Sequence, residues 1–420
     1  VSCWGDNREG QLGNGTRREA LEPVVVTGLA DAVEVDVGEA FSCARRRGGG
    51  VSCWGFGQRG ELGNGAAGYN PTPALVPMLS DVAEVSAGDD TAFVRHTAGT
   101  VSCWGNVTPF GADVATATPR LVDGLTDAAQ ISVAEGIACA RRMDGTVACW
   151  GRYASRQLEG VGPIPVTAPG LTGVVDLSTS IAHSCAVTRE GRVYFWGRAF
   201  GSGGARDVRV PTLFDGITDA VQVTTGDAHT CVLGADGSVR CWGSGSMGVL
   251  GDGGNMSSAT PVVVSGLTDA VEVRAESGYT CARRRAGAVV CWGSGPIGMP
   301  GEHTLGERST PFAVPGVSGV AQLAAGRSIA CVRRTAGTVT CWGINEFGSL
   351  GTGDLQTVMA PVAVAGLMAV GEVALGRNFG CARLVSGALS CWGNGLYGQL
   401  GDRLPRFSLT PTPVVNTPIP

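Results

Sequence analysis

The sequence predicts an all-β protein, a β-propeller built from four-stranded blades. Three observations support this prediction: a repeat of 46–50 residues, four short apolar runs in each repeat, and a large number of turn-forming residues. The chain has 67 glycines and 21 prolines, together 88 of its 420 residues, well above the usual share of about 12%. Because 44% of the residues are hydrophobic and only 16% are charged, the chain can also bury a core.

Each repeat is marked by a Trp-Gly dipeptide. Every tryptophan of the chain belongs to such a dipeptide, and successive ones are 46 or 50 residues apart. They are Trp4, Trp54, Trp104, Trp150, Trp196, Trp242, Trp292, Trp342 and Trp392. Because one period covers the whole chain, we expect residues 1–420 to form a single domain made of copies of one unit.

The unit that contains Trp292 shows the expected strands most clearly. Short apolar runs lie at residues 271–273, 280–283, 289–292 and 311–314, separated by glycine, aspartate and proline, as is typical of turns between β-strands. We name these runs, in chain order, the inner, cysteine, Trp and outer strands. Four strands in such a period favour a propeller blade, and an open solenoid of stacked repeats stays an alternative.

Both ends of the chain fall inside the repeat. The chain begins at Val1 on a Trp strand, which we interpret as the start of a processed or incomplete product, and ends on an outer strand near residues 411–415. We therefore predict eight complete blades plus an N-terminal half-blade. The predicted units are approximately 1–30 (the half-blade), 31–79, 80–123, 124–169, 170–216, 217–266, 267–316, 317–366 and 367–420.

The half-blade allows two different ways of closing the ring. Its missing strands could come from upstream residues or from another molecule, which would give a nine-bladed ring. Alternatively, eight blades close and the half-blade packs outside them. We favour the ninth position, and since an unpaired strand edge invites foreign pairing, self-association through the half-blade is also expected.

Signature segments connect the repeat to a known family. Gly10-Gln11-Leu12-Gly13, Gly398-Gln399-Leu400-Gly401 and residues 226–231 (GDAHTC) resemble the regulator of chromosome condensation repeat, here of a secreted bacterial type. The resemblance spans essentially all 420 residues and implies a β-propeller, commonly seven-bladed, with the inner strands lining a central channel. The Gly-Gln-Leu-Gly element is missing after Trp104, Trp150 and Trp196, so those loops are expected to differ.

The resemblance also implies protein partners. Members of the family bind proteins as different as a guanine-nucleotide-binding protein and a secreted β-lactamase, in both cases through propeller loops. Neither partner carries over to this chain, because those contacts are not made by the signature residues and fold analogy alone does not transfer function.

Twelve of the 15 cysteines form six pairs with a spacing of ten residues. Each pair joins a cysteine strand to the following Trp strand, where opposite Cβ atoms lie about 4.5–5.5 Å apart, close to disulfide geometry. The predicted disulfides are Cys43-Cys53, Cys139-Cys149, Cys231-Cys241, Cys281-Cys291, Cys331-Cys341 and Cys381-Cys391. Reduced core thiols are the alternative, while a zinc site lacks the clustered ligand spacing it would require.

Three cysteines remain unpaired. Cys103 is expected to face Phe93, Cys185 to face Phe195, and the partner of Cys3 would precede the chain. Because disulfides persist in oxidising environments, we expect the protein to be extracellular, on the cell surface or periplasmic.

Strand direction sorts the loops onto two rims. The upper rim, which carries the inner-to-cysteine turns, is the candidate binding rim, since variable polar residues on a rigid scaffold are often used for recognition; ordinary surface variation is the alternative. Its candidate residues are Glu39, Asp89, Asp90, Glu135, Asp227, Glu276, Arg327 and Arg377.

The lower rim has a cluster of arginines. It is either an anion or polysaccharide site or, as we favour, a solvated turn repeated with the unit. Its members are Arg45, Arg46, Arg47, Arg141, Arg142, Arg283, Arg284, Arg285, Arg333 and Arg334.

Nothing in the sequence predicts catalysis, a cofactor or a metal. Hydrolase, metalloprotease and phosphate-loop motifs are missing, and His183 and His229 lie where a structural histidine is expected. No apolar run reaches the length of a membrane span, and a net charge of −5 gives no footprint for nucleic acid. The predicted function is a secreted or surface-exposed, non-catalytic protein-binding or structural scaffold, with a carbohydrate-binding lectin as the alternative.

Overall fold

The structure is a computed structural model of the 420-residue chain. It describes residues 2–5, 20–25, 29, 31–37, 41–55, 61–63, 70–87, 91–105, 116–134, 137–151, 157–158, 164–180, 182–198, 207–276, 278–295, 306–326, 329–345, 350, 352, 357–364, 367–375, 379–385 and 389–393.

This part of the chain is almost entirely β-structure, with one short 3₁₀ turn at Ser246–Gly248. The first two strands pair only with each other; they are β1 (Ser2–Gly5) and β2 (Ala20–Val25). Seven four-stranded antiparallel sheets follow. Their strands are β3 (Ala32–Val37), β4 (Phe41–Arg46), β5 (Val51–Gly55), β6 (Asn70–Leu75); β7 (Val82–Ala87), β8 (Thr91–His96), β9 (Val101–Gly105), β10 (Thr116–Leu121); β11 (Ala128–Ala134), β12 (Ile137–Arg142), β13 (Val147–Trp150), β14 (Val166–Thr167); β15 (Val174–Thr179), β16 (His183–Thr188), β17 (Val193–Arg198), β18 (Asp207–Phe214); β19 (Ala220–Thr225), β20 (His229–Gly234), β21 (Val239–Gly243), β22 (Ser258–Val263); β23 (Ala270–Ala275), β24 (Tyr279–Arg284), β25 (Val289–Gly295), β26 (Gly306–Ala313); β27 (Val320–Ala325), β28 (Ile329–Arg334), β29 (Val339–Gly343), β30 (Val358–Ala363). A three-stranded sheet ends the described chain, with β31 (Val370–Leu375), β32 (Phe379–Leu384) and β33 (Leu389–Gly393).

In the part of the chain that the structure describes, the molecule is therefore an all-β propeller with seven four-stranded blades. Each blade runs in chain order through an inner, a cysteine, a Trp and an outer strand, as the apolar runs predict. The tight turn between the cysteine and Trp strands contains a glycine with positive φ, such as Gly237 at +86°, a conformation that glycine adopts without steric cost.

The same turn joins each blade to the next. The carbonyl of Gly237 accepts a hydrogen bond of 2.9 Å from the amide of Ala270, the first residue of the next inner strand. Equivalent bonds recur from Val82 to Gly49 and from Val370 to Gly337. Side chains continue the connection, because each hydrophobic cluster combines residues from neighbouring blades.

The prediction of eight complete blades plus an N-terminal half-blade, favoured as a nine-bladed ring, is wrong. The last sheet has three strands, and the outer strand expected near residues 411–415 lies outside the described residues. There is also no gap for a ninth blade, because Ala32 and Trp54 of the first four-stranded blade share one core cluster with Val370 and Val373 of the three-stranded sheet.

This closing cluster also decides between the two repeat architectures. An open solenoid would leave its first and last repeats apart, whereas here they pack against each other. The ladder of β1 and β2 lies beside β33. Within the described residues, no helix has the length and apolar character needed to cross a membrane.

Candidate functional site

Among the side chains that the structure describes, five of the six predicted cysteine pairs are joined as disulfides. They are Cys43–Cys53, Cys139–Cys149, Cys231–Cys241, Cys281–Cys291 and Cys331–Cys341. In each pair the two residues lie directly opposite in the ladder, with Cα atoms 4.1–4.2 Å apart. Cys381 and Cys391 hold the same backbone register. The disulfides are fully buried, so they brace the blades from inside.

Two blades have a buried thiol facing a phenylalanine in place of this disulfide. Cys103 lies opposite Phe93 and Cys185 lies opposite Phe195. Burial raises the pKa of Cys185 to about 12 and raises the pKa of Cys103 as well, so both remain protonated and unreactive at neutral pH. Cys3 lies on β1, opposite Val24.

The lower-rim arginines pair with acids of their own blade. Arg45 lies 2.7 Å from Glu34, and Arg283 lies 2.9 Å from Glu272. Arg142 and Arg284 pair in the same way with aspartates that precede their inner strands. This regular pairing favours the interpretation of the cluster as part of the repeated turn.

Two of the eight upper-rim candidates, Asp227 and Glu276, lie within the described residues. Asp227 is exposed in the turn between β19 and β20, and Glu276 is partly buried at the end of β23 on the neighbouring blade. Burial is the main cause that raises the pKa of Glu276 to about 8; the charge of Asp227 raises it further and Arg274 opposes it. The structure thus brings Asp227 and Glu276 into one acidic patch.

The remaining candidates on that rim lie outside the described residues. They are Glu39, Asp89, Asp90, Glu135, Arg327 and Arg377.

Indole rings of the Trp strands fill the spaces between blades. The Nε1 atom of Trp292 donates a 2.9 Å hydrogen bond to the main-chain carbonyl of Val249 on the preceding blade. The Nε1 atom of Trp104 donates a 2.6 Å hydrogen bond to the main-chain carbonyl of Glu61. Beside Val249, Leu250 is fully buried. A Cβ at Gly251 would lie 2.8 Å from Trp292 Nε1, which explains why this loop ends in glycine.

The space in front of Trp242 is different. It contains a cavity of about 140 Å³ between the blade of β15–β18 and the blade of β19–β22. Its lining residues are His183, Phe195, Arg198, Phe214, Ala228, His229, Thr230, Trp242, Gly243 and Ala259. Trp242 is 6% exposed, whereas Trp54, Trp104, Trp150, Trp196, Trp292 and Trp342 are 0% exposed.

Sequence reasoning missed this cavity, although two signals point to it. The Gly-Gln-Leu-Gly element is missing after Trp196, and Phe195 stands where most blades have a half-cystine. The ring of Phe195 lies 5.4 Å from that of Phe214, which lies 4.7 Å from Trp242. The departure from the repeat therefore creates an aromatic wall between blades.

Two histidines beside the cavity connect neighbouring blades. His183 Nε2 lies 2.7 Å from Thr230 Oγ1, and His229 Nε2 lies 2.8 Å from Thr280 Oγ1. Burial lowers the pKa of His183 to about 4 and that of His229 to about 3, so both rings are neutral at pH 7. Their buried interblade bonds are those of structural histidines.

Among the described residues, no group of three or more histidines, cysteines, aspartates or glutamates could hold a metal ion. The pair of Asp227 and Glu276 and the cavity in front of Trp242 are the two features of the described residues from which a function is argued below.

Comparisons with known proteins agree with this architecture. The family profile "Regulator of chromosome condensation (RCC1) repeat" matches residues 1–45, 48–94 and 336–383, and a second profile of the same description matches 220–249 and 320–349. No curated protein sequence matches the chain at a significant level.

Solved structures show the same fold. Human WBSCR16 is 19% identical with a TM-score of 0.62, and the match covers 93% of this chain and 97% of that one. Prp20p from Saccharomyces cerevisiae is 17% identical with a TM-score of 0.61, covering 93% and 90%. Yeast RCC1 (Prp20) bound to Kap60 is 20% identical with a TM-score of 0.55, covering 75% and 83%. The chain is thus an RCC1-like β-propeller.

Proposed function

We propose that this propeller is a non-catalytic scaffold that binds a protein partner through its upper rim, in an extracellular, cell-surface or periplasmic location. The observation that supports this proposal most directly is a disulfide-braced ring in which Asp227 and Glu276 lie close together on adjacent blades. Rigid elements that display polar turns limit the entropy lost on binding.

Similar structures support a protein partner. Prp20 has been crystallised with Kap60, and Prp20p has been studied for its binding to Gsp1p and histones. Those partners belong to those proteins. For this chain, the exposed carboxylate of Asp227 favours a partner whose contact surface carries arginine or lysine, because complementary charge speeds association and selects partners. The neighbouring carboxyl of Glu276, with its pKa raised to about 8, is largely protonated at neutral pH and offers a hydrogen-bond donor instead.

The oxidising location rests on the cysteines. Five buried disulfides in one chain are rare in compartments where glutathione and thioredoxin keep thiols reduced. The same bonds hold the blades rigid after export.

Carbohydrate binding remains the alternative prediction. Sugar-binding sites commonly offer exposed aromatic faces, and within the described residues no aromatic side chain is among the exposed large hydrophobics. This observation favours a protein partner. A glycan array tests the alternative directly: saturable binding to a defined glycan would support a lectin.

The scaffold function is tested with two charge reversals of equal size. Asp227→Arg changes the exposed acidic patch, and Arg285→Glu changes an exposed lower-rim turn as the matched control. A partner captured from the native extracellular fraction is purified, and its affinity for each variant is measured by surface plasmon resonance. We expect Asp227→Arg to weaken binding at least tenfold and Arg285→Glu less than twofold.

Equal affinities for both variants would contradict binding through the upper rim. Self-association through residues 1–30 also stays a prediction, and light scattering of the purified protein tests it. A mass of one chain at all concentrations would contradict it.

A further inference from the structure

The cavity in front of Trp242 lies between two blades, and the sequence that follows Trp196 on the first of these blades departs from the repeat. At Trp292, the loop of Val249, Leu250 and Gly251 covers the indole, and a main-chain carbonyl accepts its N–H. The segment after Trp196 has no Gly-Gln-Leu-Gly element. The cavity of about 140 Å³ lies where that element would cover Trp242.

The walls of the cavity are largely aromatic. Phe195, Phe214 and Trp242 form a continuous series of tilted rings, with centroid distances of 5.4 and 4.7 Å. Aromatic pairs prefer tilted or offset arrangements, so these walls offer an additional ring both faces and edges to contact. A cavity of about 150 Å³ with apolar walls is known to accept benzene, which is the size class of this one.

The polar groups of the cavity define what else an occupant must provide. Among the described residues, none accepts a hydrogen bond from Trp242 Nε1. The equivalent atoms of Trp104 and Trp292 are bonded, and those of Trp54, Trp150 and Trp196 are buried without a partner, whereas Trp242 borders the cavity. The histidines already bond to Thr230 and Thr280. The charged residue in the lining, Arg198, is exposed, so solvent and salt screen its charge. The free indole donor therefore favours an uncharged ligand that carries one acceptor oxygen.

We propose that this pocket binds a free, uncharged, single-ring aromatic compound of the phenol class, with its ring against Phe214 and Trp242 and its oxygen accepting the Trp242 Nε1 proton. This site goes beyond the scaffold function, since it needs no protein partner. A two-ring compound exceeds the volume, and a saturated ring of equal size loses the contact between aromatic faces.

The test uses the oxidised, full-length protein with phenol as the probe. Saturation-transfer NMR and calorimetry measure binding of phenol, of toluene, which lacks the acceptor, and of cyclohexanol, which lacks the aromatic ring. We expect saturable phenol binding at least tenfold tighter than that of cyclohexanol. No saturable phenol binding, or equal affinity for cyclohexanol, would overturn the proposal.

Variants locate the site. Ala259→Trp fills the pocket from an exposed position, and Ala286→Trp adds the same side chain to an exposed turn away from it. We expect the first to weaken phenol binding at least tenfold and the second to leave it within twofold. Unchanged phenol affinity in Ala259→Trp, with a melting temperature equal to that of Ala286→Trp, would refute the location.

Trp242→Phe tests the hydrogen bond. It removes the donor and leaves no protein acceptor unpaired, so we expect phenol affinity to fall about tenfold while toluene affinity changes less than twofold. Equal losses for phenol and toluene would refute the assigned bond. Binding of a tyrosine-containing peptide without binding of phenol would assign the pocket to a protein partner and overturn the proposal.

Discussion

The bond between a Trp indole and the preceding blade can be measured with two matched substitutions, Trp292→Phe and Trp196→Phe. Both indoles are fully buried. Trp292 Nε1 donates to the carbonyl of Val249 at 2.9 Å, whereas Trp196 Nε1 is buried without a partner. Since both changes remove the same atoms from a buried interblade space, the difference between them isolates the hydrogen bond.

The expected difference in stability arises at the buried carbonyl of Val249, which loses its hydrogen-bond donor in Trp292→Phe. Removing one member of a buried hydrogen bond leaves the other unsatisfied, at a cost of about 1–3 kcal/mol. At Trp196 the same change removes a donor that was already unsatisfied, so this penalty does not arise. We therefore expect Trp292→Phe to lower the free energy of unfolding by about 1–3 kcal/mol more than Trp196→Phe.

Urea unfolding of the oxidised protein, followed by far-ultraviolet circular dichroism, measures both variants. The comparison is valid if the slope of free energy against urea is the same for both, since an altered slope reports a change in the unfolding transition itself. Equal losses of stability, or a larger loss in Trp196→Phe, would refute the assignment of the interblade hydrogen bond.

Three further predictions concern the Cys281–Cys291 disulfide, the glycine at position 251 and the carboxyl of Glu276. Joint replacement of Cys281 and Cys291 by serine opens an eleven-residue ring, and we expect a loss of up to about 2.7 kcal/mol; a melting temperature unchanged from wild type would contradict it. Gly251→Ala places a Cβ against Trp292 at a φ of +72°, so we expect a loss of at least about 1 kcal/mol in the same urea assay, and an unaffected midpoint would be inconsistent with this close approach. The folded-state pKa of Glu276 is raised from 4.5 to about 8, so its contribution to stability is full below pH 4.5 and is lost as pH rises through 8. Each pKa unit corresponds to about 1.4 kcal/mol. Because the side chain is partly exposed, we expect the free energy of unfolding to fall by about 2 kcal/mol in total over this range. Glu276→Gln should remove this loss, and parallel stability curves for both proteins from pH 4 to 9 would disprove it.

The repeat made much of the fold predictable from sequence. Regular spacing of Trp-Gly dipeptides located the Trp strands, and the ten-residue spacing of cysteines fixed their register, as at Cys281 and Cys291. The same argument placed Phe195 opposite Cys185. These features depend on short antiparallel hairpins, whose geometry local sequence determines.

The closure of the ring and the pocket at Trp242 were harder to predict from sequence, because both depend on contacts between segments that are distant in the chain. The count of blades failed since Trp54 packs against a sheet more than 300 residues away in sequence, which no local pattern reveals. The arginine pairs could have been found from a spacing of eleven residues, as in Glu34 and Arg45. The pocket at Trp242 had a signal only as a departure from the repeat, and its volume required coordinates.

The disulfides test the central claim, that this propeller is a braced scaffold for an oxidising compartment. The protein is isolated from its native cells with thiols blocked at lysis, and its peptides are mapped by mass spectrometry without reduction. We predict disulfide-linked peptide pairs for the five bonds of the described residues, from Cys43–Cys53 to Cys331–Cys341, and for the sequence-predicted pair Cys381–Cys391, with Cys103 and Cys185 alkylated only after unfolding. Blocked, unlinked cysteines at these pairs would contradict both the brace and the location.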